Sequence, residues 1–405
     1  MSVKKKEQSA GPSGPIDVDK MFALKDRVPR DVQRQAIQKI DEHFRNGARY
    51  VVLEGPPGVG KSAVAATLAR QYQRAHICTL TTQLQNQYLE DFQHLGAKVL
   101  KGRGQFKCER ARSNCSTGAI LYKGGQACSL IREDGSCLGS AEWRCPYRAA
   151  KRDAFRSPLM LANYHSFLAN VGQAELFADD PEEMPIRPLL VLDEAHGIEN
   201  MLLDHISIHI GLSKLSVVVD KLPNKDEPVD QYLAWLRELV KRVGVETTRM
   251  VDPEEKAEAQ RLCRKIEFAT EAAKSERWIV ERGVDENGVV DENWFAIKPL
   301  TVKAYGRWIW GWGQRVLLMS ATILDAHQVV TSLGLDPNGG EFVSLPCTFP
   351  KENRPVIVGP LDMSFRARDT SWPKMVAAVD SILNHHSKEK GLLLCPSNKM
   401  LMYLA

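Results

Sequence analysis

An α/β fold built on a parallel sheet is predicted by three observations. A glycine-rich loop, GPPGVGKS from Gly55 to Ser62, stands between an apolar strand and a run of helix formers. Two further apolar runs, PLLVL and RVLLM, end in Asp193-Glu194-Ala195-His196 and in Ser320-Ala321-Thr322. Strand and helix patterns alternate around them, which puts helices on both faces of a parallel sheet. The composition agrees. A chain of 405 residues allows two or three domains, and 43% hydrophobic with 26% charged residues excludes a disordered chain or a fibre. The sequence contains no run of 18 apolar residues, so no membrane helix and no membrane partner are expected.

Residues 1–24 begin MSVKKKEQSAGPSGP, a polar stretch without the apolar segment of a secretory signal, and are expected to be a flexible tail. A reducing, cytoplasmic setting, in a bacterial or phage-infected host cell, is the corresponding expectation. Order is predicted from about Pro29, where Val32, Ala36, Ile37, Ile40 and Phe44 share a helical face. Tyr50–Glu54 reads as a strand, followed by the glycine loop and a helix. The glycines let successive NH groups converge on a phosphate at the positive end of a helix dipole. Gly55, Pro56, Pro57, Gly58, Val59, Gly60, Lys61 and Ser62 are therefore the candidate ATP cradle. Lys61 is placed to reach the β and γ phosphates, and the Ser62 hydroxyl to ligate Mg²⁺.

His76–Thr81 reads as the next strand and residues 81–92 as the helix after it. Carboxylates at the carboxyl end of a parallel strand lie where open α/β sheets bind ligands. Asp193 is the candidate to hold Mg²⁺ through water, and Glu194 to orient or deprotonate the attacking water. His196 completes that catalytic set with Lys61. Ser320 and Thr322 suit an element that senses the nucleotide, although such a triplet is also an ordinary helix cap.

Lys61 and Asp193 are 132 positions apart, and Glu194 and Ser320 are 126 apart, so each interval holds an insertion. The second insertion reads as mainly helical. Val229, Tyr232, Leu233, Leu236, Leu239, Val240 and Val243 form one amphipathic stripe, and another helix starts at Asp252 with Pro253 in its first position. A hairpin turned at Asn287 and Gly288 follows.

The first insertion gathers five of the nine cysteines within 38 residues: Cys108, Cys115, Cys128, Cys137 and Cys145. Residues 101–156 also carry twelve Lys or Arg against five Asp or Glu, a net +7 beside −3 for the remainder. A basic cysteine module on a near-neutral body suggests a nucleic-acid surface, with a solvated basic face as the plainer alternative. The spacing C-x6-C-x12-C-x8-C-x7-C lacks the paired knuckles of a zinc finger and fits an iron-sulphur site better. Zinc and unrelated thiols remain the other readings at this point.

A P-loop, a cysteine insertion ahead of D-E-A-H, a second insertion and then S-A-T resembles the layout of the XPD/DinG family of iron-sulphur superfamily 2 DNA helicases. The likeness extends to VPRDVQRQAI, to KGRGQFKC, to Cys145-Pro146-Tyr147 with ANYHSFL, to WFAIKPLTV with LLMSAT, and to GLLLCPSNKM. It implies a RecA-like P-loop NTPase domain over residues 25–100, 151–200 and 301–345, carrying an iron-sulphur insertion at 101–150 and a helical arch at 201–300. A second RecA-like domain would begin at 346–405. Arg30 and Gln33 look like the nucleotide-sensing stretch. Cys108, Cys128, Cys137 and Cys145 are chosen as ligands of a 4Fe-4S cluster, with Cys115 as the alternative. Thr81, Thr82 and Gln83 are implied to contact single-stranded or forked DNA through phosphates, while Tyr147 and Tyr164 read equally as stacking candidates or as buried core residues. The implied activity is ATP hydrolysis coupled to 5′–3′ translocation and unwinding. No G-R-x-x-R motif of the second motor domain occurs before Ala405. A fragment, a split product partnered by a separate second motor domain, or a truncated ATP- and DNA-binding protein are the expectations that follow.

Overall fold

The computed structural model describes residues 14–108, 113–115, 136–137, 140–176, 184–211, 221–224, 226–284, 290–350, 352, 356, 359, 361–362, 364, 367–395 and 397–404. They fall into two compact units, Met1–Cys347 and Thr348–Ala405.

The first unit starts earlier than the sequence suggests. Helix α1 (Val18–Met21) is capped by the Asp17 carboxylate, and Ile16, Val18, Phe22 and Ala23 are buried in the core. The flexible-tail assignment for 1–24 is therefore corrected over residues 16–23. The physical reason is that four apolar side chains spaced along a polar stretch suffice to dock it, each burial being worth roughly 1–3 kcal/mol. The Ile16 amide is also held, by Asp41 at 3.1 Å.

Helix α2 (Asp31–Arg45) follows, then β1 (Tyr50–Glu54), α3 (Lys61–Gln71), β2 (Ala75–Thr79), α4 (Thr82–Phe92) and β3 (Ala97–Val99). The cysteine insertion contributes short strands β4 (Lys107–Cys108), β5 (Ser113–Asn114), β6 (Ser136–Cys137) and β7 (Ser140–Arg144), and leaves through α5 (Pro146–Arg156). The sheet resumes with β8 (Leu159–Asn163), α6 (Tyr164–Leu176), β9 (Arg187–Asp193) and α7 (Ile198–Ile206). The second insertion comprises β10 (Ile208–Gly211), α8 (Val229–Thr247), α9 (Pro253–Ala272), β11 (Trp278–Val284) and β12 (Val290–Pro299). After α10 (Arg307–Trp310) the sheet closes with β13 (Gly313–Ser320), α11 (Ala326–Ser332) and β14 (Gly340–Ser344).

The main sheet has seven strands in the order β14-β1-β13-β9-β2-β8-β3, and every pairing is parallel. Because side chains alternate along a strand, each strand feeds two cores. Val51, Leu53, Ile77, Val191, Leu317 and Met319 pack with α2 and α3 on one face. Val52, Cys78, Leu190, Leu192, Val316 and Leu318 pack with α6, α7 and the second insertion on the other. Burial on both faces explains why these strands read as continuous apolar runs rather than alternating ones.

Arg187, the first residue of β9, is 1% exposed and pairs with no carboxylate among the described residues. Its guanidinium donates instead to the carbonyls of Ala75, Pro158, Ala154 and Phe155 at 2.8 to 3.1 Å. Two of those carbonyls belong to the last turn of α5, where a cation also meets the negative end of the helix dipole. Burial lowers its pKa to about 9.

In the second insertion β10, β12 and β11 form an antiparallel sheet, covered by the predicted α8 stripe. Tyr232 is fully buried with its ring edge-on to Phe295 at 5.0 Å. The predicted turn at Asn287 and Gly288 lies outside the described residues, but the strands flanking it pair through Val284 and Val290.

The second unit contains α12 (Arg368–His385) and α13 (Asn398–Leu404), with the Trp372 and Tyr403 rings 4.6 Å apart. Leu392 and Leu394 between them are exposed.

Candidate nucleotide site

The glycine loop connects β1 to α3 by a turn that needs glycine at two points. Gly58 has φ +78° and Gly60, the N-cap of α3, has φ +87°, a region that costs an ordinary residue roughly 1–2 kcal/mol. Gly60 also leaves no room for a side chain, since a Cβ there would stand 2.2 Å from Gln33 Nε2. Arg30 and Gln33, singled out in the sequence, do meet this loop. Arg30 Nη2 donates to the carbonyls of Gly58 and Val59 at 3.0 and 2.6 Å, and Gln33 Nε2 to Val59 at 3.2 Å. The two residues brace each other through a 3.0 Å bond from the Arg30 amide to Gln33 Oε1. Lys61 Nζ donates to the Gly55 carbonyl at 2.7 Å, inside the loop.

The carboxyl ends of β1, β13 and β9 are neighbours in the sheet, which brings the three sequence landmarks together. The Gly55 amide donates to the Ser320 carbonyl at 3.1 Å. His196 Nδ1 lies 2.8 Å from Ser320 Oγ and 3.4 Å from Glu194 Oε2. Glu194 itself adopts φ +54°, ψ +49°, a left-handed conformation rare for a non-glycine residue and common at functional sites.

Asp193 is 6% exposed. Its Oδ1 accepts the Glu194 amide at 3.0 Å, and its Oδ2 accepts the Tyr88 hydroxyl at 3.0 Å. Burial raises its pKa, the Tyr88 bond opposes that rise, the Glu194 charge adds to it, and Lys61 opposes it more weakly. A buried carboxylate that forms no side-chain ion pair among the described residues, at the carboxyl edge of the sheet that also carries the glycine loop, fits a divalent cation as its counter-charge. Burial and the Asp193 charge push the Tyr88 hydroxyl well up, so it stays a donor.

Sequence reasoning missed Tyr88, Tyr164 and Glu54. Tyr88 shares a helical face with Gln85 and Phe92, a buried spacing that could have flagged it. Tyr164, taken as a stacking candidate, is fully buried and donates to the Asp193 carbonyl at 2.8 Å. Tyr147 is also buried, edge-on to Phe106 at 5.6 Å, and its hydroxyl reaches Asn170. Neither ring is free to stack on a base. The Tyr147 ring is covered by Phe106 and the Arg103 guanidinium, and the Tyr164 hydroxyl is held at the Asp193 carbonyl. Glu54 ends β1 and accepts the Ile323 amide at 2.8 Å, tying the P-loop strand to the chain after Ser320-Ala321-Thr322.

Thr81, Thr82 and Gln83 are exposed at the start of α4, on the same carboxyl edge of the sheet. The Thr81 hydroxyl caps the helix through the Leu84 amide at 3.2 Å.

Of the chosen cysteine ligands, Cys128 lies outside the described residues, and of Cys137 only the backbone is described, in β6. Cys108, Cys115 and Cys145 cluster with Phe106 and Tyr147. Cys115 and Cys145 are hydrogen-bonded, a bond that raises the first thiol and lowers the second. Cys145 is the N-cap residue of α5, where the nearby Arg148 and Tyr147 amides further favour its thiolate. Three thiols in an apolar shell, one of them held toward thiolate, fit a soft iron-sulphur ligand set by donor chemistry. Among the described residues no group of three metal-type side chains is assembled in ligating geometry.

Residues 26–215, a little under half of the chain, match the family described as Type III restriction enzyme, res subunit. The whole fold is similar to solved helicase structures at low identity. An XPD helicase is 13% identical with a TM-score of 0.55, covering 94% of this chain and 74% of its own. Xpd4 of S. tokodaii is 13% identical with a TM-score of 0.52, covering 93% and 73%. The fold is a RecA-like α/β domain carrying insertions, as in those solved structures. No curated protein sequence matches the chain. Among the described residues no helix is long and apolar enough to cross a membrane.

Proposed function

We propose that the chain is the ATP-hydrolysing motor part of an XPD/DinG-type iron-sulphur DNA helicase. The observation that carries this reading is the meeting of the P-loop, Asp193-Glu194-Ala195-His196 and Ser320-Ala321-Thr322 at adjacent carboxyl strand ends. Phosphoryl transfer needs a phosphate cradle and a metal-holding carboxylate in one place, and the strand order supports that reading.

In this reading the loop amides from Gly58 to Ser62 bind the phosphates, and Lys61 exchanges the Gly55 carbonyl for a phosphate oxygen. Asp193 and the Ser62 hydroxyl would hold Mg²⁺, which when bound would supply positive charge against the phosphates. Glu194 orients the attacking water and takes its proton at a carboxylate oxygen, a contribution of roughly 10²- to 10⁴-fold. His196 relays the state of that carboxylate to Ser320. Arg30 and Gln33 hold the loop in register.

Thr81, Thr82 and Gln83 offer hydroxyls, an amide side chain and the positive end of α4 to the phosphates of a single strand, and the basic cysteine module extends that path. Cys108, Cys115 and Cys145 would hold a 4Fe-4S cluster, with the fourth ligand drawn from Cys128 and Cys137. Translocation from 5′ to 3′ and duplex unwinding follow from the resemblance. The test is ATP hydrolysis by the chain with and without single-stranded DNA. Turnover that rises with the strand supports the reading, and no turnover under either condition removes hydrolysis from it.

A further inference from the structure

A hydrogen-bonded circuit runs from the exposed start of α4 to the Asp193 carboxylate. Asn163 closes β8, and its Nδ2 donates to Thr82 Oγ1 at 3.3 Å while its Oδ1 accepts the Ser166 amide at 2.7 Å. The next residue, Tyr164, is fully buried and donates to the Asp193 carbonyl at 2.8 Å. Tyr88, on α4 itself, reaches Asp193 from the other face of the sheet and donates to Oδ2 at 3.0 Å. Thr82 and Tyr88 lie six positions apart on one helix, so the path closes on itself: Thr82, Asn163, Tyr164, Asp193, Tyr88 and back along α4.

We propose that Tyr88 and Asn163 are positioning residues that make strand binding at the start of α4 and the placement of the Asp193 carboxylate interdependent. The inference rests on the reading of these two places as a nucleic-acid contact and a Mg²⁺·ATP site.

The argument is one of stiffness. Tyr88 is 2% exposed, and its ring packs against Phe92 with centroids 5.8 Å apart. A phenol has two rotatable bonds and no freedom to slide in a close-packed core. A displacement of α4 therefore moves the hydroxyl, which either carries Asp193 Oδ2 with it or breaks a buried bond to a charged acceptor. Breaking such a bond shifts an equilibrium about tenfold or more. The Asn163 arm senses the same end of α4 through Thr82 and reaches the Asp193 backbone through Tyr164. A carboxylate held on its backbone and on one oxygen by two separate helices has its position set by both. Because coupling between sites is reciprocal, nucleotide with Mg²⁺ must bias strand binding by the factor by which the strand biases nucleotide.

If Tyr88 were only core filling, its hydroxyl would be dispensable. The test is equilibrium binding of a fluorescent non-hydrolysable ATP analogue to the whole chain, with and without a thymidine 20-mer, in Mg²⁺ and in EDTA. For the native chain the two Mg²⁺ affinities should differ by about fivefold or more, the lower end of ordinary coupling. In Tyr88→Phe and in Asn163→Ala that ratio should fall toward one. Tyr88→Phe should also raise the Mg²⁺ concentration at half-saturation severalfold while leaving the EDTA affinity as in the native chain, a split that a loss of fold does not produce. Asn163→Ala leaves both oxygens of Asp193 bonded and decides the coupling question should Tyr88→Phe fail to fold. A native ratio and native Mg²⁺ dependence in Tyr88→Phe overturn the inference, as does a native chain that binds both ligands without coupling. A native chain that binds neither ligand overturns instead the reading on which it rests.

Discussion

His196 Nδ1 and Ser320 Oγ stand 2.8 Å apart, joining two strand ends that are 124 residues apart in the chain. The same Ser320 contributes its carbonyl to the Gly55 amide. One residue thus touches the P-loop through its backbone and the acidic motif through its side chain. Ser320→Ala keeps the first contact and removes the second, together with the 3.2 Å bond that the Ser320 hydroxyl accepts from the Thr322 amide. It should leave nucleotide affinity within about twofold and lower turnover about tenfold, the value of one hydrogen bond made to a group that changes charge state. Parallel measurement of the dissociation constant and kcat checks the split.

Arg187 binds β9 to the last turn of α5, the helix that begins at Cys145. Arg187→Met keeps most of the volume and removes four charge-assisted hydrogen bonds, while the Pro158, Ala154 and Phe155 carbonyls keep the Ala75 amide, the Ser157 hydroxyl and Arg74 as donors. The expected loss is about 2–4 kcal/mol, read as a lowered urea midpoint of the first unit. An unchanged midpoint would show that water replaces the guanidinium at no cost.

One fully buried and one half-buried histidine weaken the fold in acid. His76, fully buried beside Arg187 and Arg74, has its pKa depressed first by burial and then by those cations. His205 is lowered to about 4, by burial, Lys265 and His165. Both release their proton on folding, so the unfolded chain binds more protons below the ordinary histidine pKa of about 6.5, and stability falls with pH from there. For His205 the loss continues down to its folded value. Between pH 7 and pH 5 a decrease of about 2–4 kcal/mol is expected from the pair, measurable by denaturant titration at each pH. His76→Gln should flatten part of that dependence.

The sheet was legible because strands buried on both faces advertise themselves as apolar runs, and the P-loop because its glycines and Lys61 have few other uses. The cradle with Arg30 and Gln33 came from a resemblance rather than from periodicity, since their spacing on α2 is ordinary. Tyr88, Tyr164 and Arg187 stayed hidden for a different reason. Each is a polar group inside an apolar pattern, and only the fold shows which buried partner satisfies it. Tyr164 illustrates this directly: the sequence leaves stacking and burial open, and the fold decides for burial by giving its hydroxyl the Asp193 carbonyl to reach. The packed segment 16–23 was overlooked because its apolar residues are few and their helix is one turn long.

The cysteine module yields a prediction that separates the candidate ligands. Cys115 stands beside Cys145, so Cys115→Ser in protein purified without oxygen should lose most bound iron and the absorbance near 400 nm. Full iron content in Cys115→Ser would return the second position to Cys128, and a colourless native protein holding zinc would replace the cluster altogether.

Binding of Mg²⁺·ATP at the glycine loop tests the central claim most directly, because it depends on Lys61 and Asp193 alone and not on turnover. Calorimetric titration of the native chain should show one site, and Lys61→Ala should weaken it by about ten- to a hundredfold, as expected for a charge-assisted contact. Equal affinity in the native chain and in Lys61→Ala, or no binding to either, would contradict the account.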